Sequence, residues 1–204
     1  MYSKTTARRK SRSSRRWTSV PVGVAKNARA ASVAATGIGG DTRILGLDPG
    51  SLITGYAVVD CIGGKTHYQT SGSIRIQAES FPQRLAEIFT AVSKLAEQWQ
   101  PREVAVERVF MHRNADSALK LGQARGAAIC GTLATGASVF EYSPREIKQA
   151  VVGTGAAYKE QVQMMVKQLL KLSGTLGADA ADALAVALCH AHSRHVSQLL
   201  STAG

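Results

Sequence analysis

Three strand-like segments in succession, then a helix, then strand and helix by turns: this order of hydrophobic periods leaves few architectures open. The first segment, 43–48 (RILGLD), is apolar until it ends in Asp48, and Pro49-Gly50-Ser51 turns the chain back into 54–60 (TGYAVVD). A weaker strand pattern follows at 66–76 (THYQTSGSIRI), so the opening reads as a meander. Leu85, Ile88, Phe89, Val92 and Leu95 are then spaced for one buried face of a helix at 82–98, which Pro101 separates from a fourth strand at 103–107 (EVAVE). An Ala/Leu-rich helix at 115–135 carries Gly122, Gly126 and Gly131, close enough in spacing for tight helix contact, and leads to a fifth strand at 138–142 (SVFEY). Its small residues suit either core packing or a dimer seam. Pro144 opens a helix at a first-turn position where a missing N–H is harmless, Gly153-Thr154-Gly155 interrupts the chain, and helices follow at 158–172 and 178–195. The expected fold is α/β: a mixed five-stranded sheet in a three-layer domain.

Length and charge divide the chain. Its 204 residues suit one domain with a substantial core, expected at 42–196, flanked by a basic extension at 1–41 and a short tail at 197–204. The net charge of +11 is concentrated at the start: nine basic residues and one acid up to Asp41, against sixteen basic and thirteen acidic residues beyond it. The first 41 residues, rich in Ser, Arg, Ala and Gly with no sustained apolar period, read as disordered. A DNA-contacting arm, an organelle transit peptide and a start codon placed too far upstream all stay open for them. No apolar run reaches the length a bilayer requires. Cys61, Cys130 and Cys189 are odd in number and lack C-x-x-C spacing, which argues against a disulfide framework or a zinc ribbon and fits a reducing cytoplasm. Cys130 and Cys189, in Ala-rich helical stretches, are expected as small buried side chains.

The candidate chemistry lies in acids at strand ends and on the last helix. Asp48 and Glu107 each end an otherwise apolar strand. If strands one and four are neighbours, as in a sheet ordered 3-2-1-4-5, the two carboxylates stand side by side. Asp179 and Asp182, three apart, share one helical face. Singly these residues could be a turn former, a solvated strand end and a helix cap, but Asp182 on an Ala/Leu face has no capping role. Four carboxylates brought together cannot all stay ionised without compensation. An all-oxygen donor set without His or Cys favours Mg²⁺ or Mn²⁺ over zinc. Two such ions about 4 Å apart suit phosphodiester hydrolysis.

The runs ILGLDPGSLITGYAVVD (44–60), VAVERVFMHRNADSALKLGQARG (104–126), VFEYSPREIKQAVVGTGAAYKEQVQMMV (139–166) and ADAADALAVALCHAH (178–192) closely resemble the bacterial RuvC Holliday-junction resolvases. The resemblance covers about 43–195 in collinear order, and four motifs in register are highly specific. It implies a ribonuclease H-like fold, a homodimer, Mg²⁺ dependence with Mn²⁺ able to substitute, and paired nicking of opposed strands of four-way junction DNA. By motif position Asp48, Glu107, Asp179 and Asp182 correspond to the family's catalytic acids. Phe110 falls at the aromatic placed near unstacked junction bases, where an exposed ring would stack, although a core Phe is the competing reading. Lys148 and Lys159 match basic positions near the scissile phosphates, and Arg113, Lys120 and Arg125 are further candidates for phosphate contact. Cooperation with a RuvA–RuvB branch-migration complex is implied in the same way.

Some features depart from that pattern. Leu52-Ile53 follows Ser51 where many relatives first carry a basic or polar residue, and the extension lies outside the family core. His190, His192 and His195 look like a metal cluster, but their spacing does not align them on one helical face, so they are expected at the surface or helix end. Two other classes compete with a nuclease. One is a junction-binding protein without catalysis, which the four acids argue against. The other is a phosphotransferase of the actin or sugar-kinase type, whose two lobes this chain is too short to supply.

Overall fold

The computed structural model describes residues 40–108 and 115–202. The extension at 1–39, together with Phe110 and Arg113, lies outside them. The elements in chain order are β1 (Thr42–Asp48), β2 (Ile53–Ile62), β3 (Lys65–Arg75), α1 (Phe81–Trp99), β4 (Glu103–Glu107), α2 (Ala115–Leu133), β5 (Ser138–Tyr142), α3 (Pro144–Val152), α4 (Lys159–Leu169) and α5 (Ala178–Thr202).

The five strands form one sheet in the order β3-β2-β1-β4-β5, as the sequence suggested. The meander β1-β2-β3 is antiparallel, with Asp48 opposite Gly55 at the turn. β4 runs parallel to β1, with Leu47 opposite Val106, and β5 runs parallel to β4, with Glu107 opposite Tyr142. Alternation along the strands divides the core into two layers. Leu45, Leu47, Tyr56, Val58, Val104 and Val106 pack with Ile88, Val92, Leu95 and Trp99 of α1 and with Ala124 and Ala128 of α2. Ile44, Ala57, Val59 and Ala105 face the other way, toward α3, α4 and the alanine-rich body of α5. Among the described residues no helix is long and apolar enough to cross a membrane.

Local chemistry explains the element ends. Ser143 accepts a hydrogen bond from the Glu146 amide, and Glu146 accepts one from the Ser143 amide, so the expected Pro144 helix starts with a reciprocal cap. Gln100 at φ 48° and Gly153 at φ 86° end α1 and α3 in the left-handed conformation, their N–H groups donating to the last-turn carbonyls of Ala96 and Gln149. At the start of β1, Arg43 holds the buried Asp60 through two hydrogen bonds, donates a third to the Trp99 carbonyl and lies over the indole.

Three expectations are corrected, and one is narrowed. Phe89 is 45% exposed, because the buried stripe of α1 continues through Ala96 and Trp99 and rotates Phe89 off the sheet. Cys130 is exposed, on the side of α2 turned away from the sheet, whereas Cys189 is buried as expected. Of the three glycines of α2, Gly131 makes the tight contact within the chain, against the Phe89 carbonyl and Val92, while Gly122 and Gly126 border open space. The last helix runs on to Thr202 and takes in most of the segment expected as a tail.

Candidate active site

The site lies where β1 and β4 end. Parallel pairing carries Asp48 and Glu107 to neighbouring strand ends on the α5 face of the sheet, the face shared by Ile44 and Ala105. Two glycines let α5 descend onto them. A Cβ on Gly46 would lie 2.3 Å from the Ala183 carbonyl oxygen, and one on Gly55 would lie 2.2 Å from that of Asp179. Backbone can come this close to backbone only where no side chain intervenes. Gly55 is also the partner of Asp48 across the β1–β2 ladder, so the first turn of α5 is seated beside that carboxylate. Asp179 and Asp182 therefore approach from above while Asp48 and Glu107 rise from the sheet.

Electrostatics shows that the four acids share one environment. Burial pushes Asp48 up to about 6, with Asp182 and Asp179 adding repulsion and Lys159 opposing it. Burial likewise pushes Glu107 up to about 7, reinforced by Asp48 and Asp182 and opposed by Lys159 and Lys148. Lys159, the first residue of α4, places its Nζ 2.6 Å from Asp182 Oδ2, and that hydrogen bond is the main reason its own proton is held more tightly. Two carboxyls with raised proton affinity beside two cations describe a pocket still short of positive charge. All the acidic donors are hard oxygens, a set that fits a divalent cation of the magnesium type. Among the described residues no group of three acid, His or Cys side chains is already placed to hold a metal ion.

The remaining sequence candidates separate by position. Lys148 of α3 is half-buried and close enough to Glu107 to act on it electrostatically. Lys120 is exposed and pairs with Asp116 one turn away. Arg125 points inward instead of toward solvent: its side chain is 17% exposed, its Nε donates to the Glu107 carbonyl at 3.0 Å, and its Nη2 pairs with Glu141 of β5. That position suits support of the strand end better than contact with phosphate.

The expectation for the histidines fails at one of the three. His192 and His195 are exposed, but His190 is 3% exposed and lies inside the second layer. Its Nε2 donates to Glu103 Oε2 at 2.8 Å, its Nδ1 is 2.7 Å from the Tyr142 hydroxyl, and its ring stacks on Phe140 with centroids 4.4 Å apart. Arg194 donates to the same Glu103 carboxylate from the next turn of α5. The available signal was Glu103 itself, which lies four residues before Glu107 and so on the same face of β4.

The chain matches the family model for the crossover junction endodeoxyribonuclease RuvC over residues 44–190. It is 58% identical over 161 residues to the crossover junction endodeoxyribonuclease RuvC of Aeromonas hydrophila, covering 79% of this chain and 92% of the relative. The Methylococcus capsulatus protein of the same name is 53% identical over 160 residues, covering 78% and 96%. Among solved structures, Thermus thermophilus RuvC in complex with a Holliday junction substrate superposes with a TM-score of 0.71 at 32% identity, over 77% of this chain and 97% of that one. The yeast mitochondrial Holliday junction resolvase shares the fold, with a TM-score of 0.60 at 13% identity over 82% and 88%.

Proposed function

Because the chain belongs to the RuvC family of crossover junction endodeoxyribonucleases, we propose that Asp48, Glu107, Asp179 and Asp182 are its catalytic acids and that it resolves four-way DNA junctions with them. The family uses divalent metal, and the finer reading here is two Mg²⁺ ions per site, with Mn²⁺ able to substitute. The observation that carries this reading is the convergence of Asp48 and Glu107, each raised by burial and by its acidic neighbours, beneath the first turn of α5.

Each residue has a role set by its place. Asp48 and Glu107 sit on the ends of adjacent parallel strands, so their separation is set by the sheet. Asp179 and Asp182 come from a helix whose seating is fixed by backbone contact with Gly55 and Gly46. Bound divalent ions would supply the positive charge that activates water and offsets charge on the departing oxygen. Lys159, on Asp182, and Lys148, beside Glu107, are cations on the rim where a backbone phosphate would enter, and they act as point charges on its oxygens. Arg125 holds the Glu107 backbone and ties α2 to β5, which keeps that strand end in place. Phe110, Arg113 and the exposed Lys120 complete the proposed DNA surface.

The exposed face of α2 supports a homodimer. Leu119, Cys130 and Leu133 are exposed along it, while Gly122 and Gly126 leave open space into which a second copy of the helix can pack. A two-fold axis there would set two identical sites in opposed orientation, as paired cuts in a two-fold symmetric junction require. A RuvA–RuvB complex as partner is carried over from the family likeness.

Asp48→Asn tests the assignment on a synthetic four-way junction in Mg²⁺. Binding is expected to persist while cleavage falls by more than about 100-fold, beyond the cost of disturbing a ligand's partner. Undiminished cutting would refute it.

A further inference from the structure

We infer that Glu103, His190, Arg194 and Tyr142 form a clamp that sets the register of α5 on the sheet and thereby positions Asp179 and Asp182 for the reaction. The inference rests on the metal-site reading above and extends it to residues remote from the pocket.

Where α5 lies on Gly46 and Gly55 the contact is made by Ala183, Ala187 and the Asp179 backbone, although Leu184 and Val186 are also buried in this layer. Ala180, Ala181, Ala183, Ala185, Ala187 and Ala191 are buried, and the helix lies directly on Gly46 and Gly55. Such a surface permits close approach but offers few knobs and holes, so by itself it discriminates weakly between helix rotations. Directional hydrogen bonds discriminate strongly, and fixing register is the best-attested use of a buried polar group. Midway along α5 two such groups meet on one carboxylate, His190 Nε2 at 2.8 Å and Arg194 Nε at 2.9 Å from Glu103 Oε2, and Tyr142 Oη closes on His190 Nδ1 at 2.7 Å. With Glu103 ionised, His190 donates from Nε2, which leaves Nδ1 to accept from the Tyr142 hydroxyl, so both ring nitrogens are satisfied.

The spacings match those of the acids. Glu103 and Glu107 are four residues apart on one face of β4, roughly 13 Å at the rise of a strand. His190 and Asp182 are eight residues apart on α5, roughly 12 Å at the rise of a helix. Asp179 precedes His190 by eleven residues, close to three full turns at about 3.6 residues each, so the two point to the same side. Pinning His190 to Glu103 therefore brings Asp182 level with Glu107 and keeps Asp179 on the side that faces the sheet, and a rotation by one residue, about 100°, would turn Asp179 away. Tyr142 adds a lateral tie, since it is the β5 partner of Glu107. These four are positioning residues and touch neither metal nor DNA.

The test uses the full chain without DNA, following the rise in melting temperature as Mn²⁺ is added, alongside junction cleavage and junction binding. His190→Leu is expected to weaken apparent Mn²⁺ affinity by about 10-fold or more and to slow cleavage in step, with junction binding unchanged. His190→Gln, whose amide can donate to Glu103 and accept from Tyr142, should restore most of the loss, and Tyr142→Phe should show a smaller loss of the same kind. Val92→Ala, a cavity in the opposite layer, supplies the control: it should lower the melting temperature and leave Mn²⁺ affinity intact. A folded His190→Leu with wild-type Mn²⁺ affinity overturns the clamp, as does an equal affinity loss in Val92→Ala. Should His190→Leu not fold, unchanged affinity in Tyr142→Phe overturns it. A wild-type protein that gives no Mn²⁺ response sinks the metal-site reading itself, which keeps the two failures apart.

Discussion

Glu103 and Glu107 lie on the same strand, face the same helix and are both partly buried, yet they are held in opposite states. Burial works to raise Glu103, but hydrogen bonds from His190 and Arg194 outweigh it and keep its carboxyl below the ordinary glutamate value. At Glu107 burial is joined by Asp48 and Asp182, and the carboxyl rises to about 7. One end of the α5–sheet contact is electrostatically complete and the other is left short of positive charge. The difference teaches where structure ends and function begins: a completed ion cluster holds the helix, and an incomplete one is ready for a cation.

The contrast breaks most visibly in catalysis. Glu107→Gln should lose cleavage by more than about 100-fold in Mg²⁺ while still binding a four-way junction, measured in single-turnover nicking and gel-shift assays. If Glu103→Gln lost cleavage as completely and also left the fold and Mn²⁺ response untouched, the two ends would not differ as described.

Stability should respond in the reverse order. Glu103→Ala strands the buried His190 and Arg194 and should cost about 3 kcal/mol in denaturant unfolding. Glu107→Gln removes a repelled carboxylate, and without metal at pH 8 it should instead gain about 1 kcal/mol once solvent screening is allowed for. A loss on the Glu103 scale at Glu107 would contradict the picture.

The pH dependence sharpens the same point. Asp48 and Glu107 bind protons more tightly when folded, to about 6 and about 7 from ordinary values of 3.8 and 4.5. Their contribution favours the folded state fully below about pH 4 and is lost as pH rises through about 6 and 7. Glu103, held low, contributes stability above its ordinary value of 4.5 that is lost only as pH falls further. Metal-free protein should therefore melt at lower temperature at pH 8 than at pH 5.5, and the double substitution Asp48→Asn, Glu107→Gln should flatten that slope. The smallest effect belongs to Lys120→Ala, which removes an exposed pair with Asp116 and should change stability by less than about 0.5 kcal/mol.

How much of this was legible in the sequence differs between the two ends. Asp48 and Glu107 stood out because a charged residue closing an apolar strand breaks its period, and Asp182 stood out as an acid on an Ala/Leu face. The ten elements could be read because Pro and Gly punctuate many of their ends, whereas the sheet order was a condition set by the acid pair and agreed with the family resemblance. The clamp was hidden for a physical reason. Glu103 opens its strand, where charge is ordinary, and His190 sits beside His192 and His195, so the trio looked like a surface feature. That His190 is buried and its neighbours are not depends on the rotation of α5 over the sheet, a tertiary fact that helical spacing alone does not contain. Phe89 and Cys130 were misplaced for the same kind of reason, since the faces of α1 and α2 are set by their contact with each other at Gly131 as well as by the sheet.

Proton release on Mn²⁺ binding tests the charge-deficient pocket most directly, because a cation entering it must displace protons held on Asp48 and Glu107. Calorimetric titration of DNA-free protein at pH 6.5, in buffers of different ionisation enthalpy, should show net proton release that disappears at pH 9 and shrinks in Glu107→Gln. Mn²⁺ binding with no proton release at pH 6.5, and of equal strength in Glu107→Gln, would contradict the account.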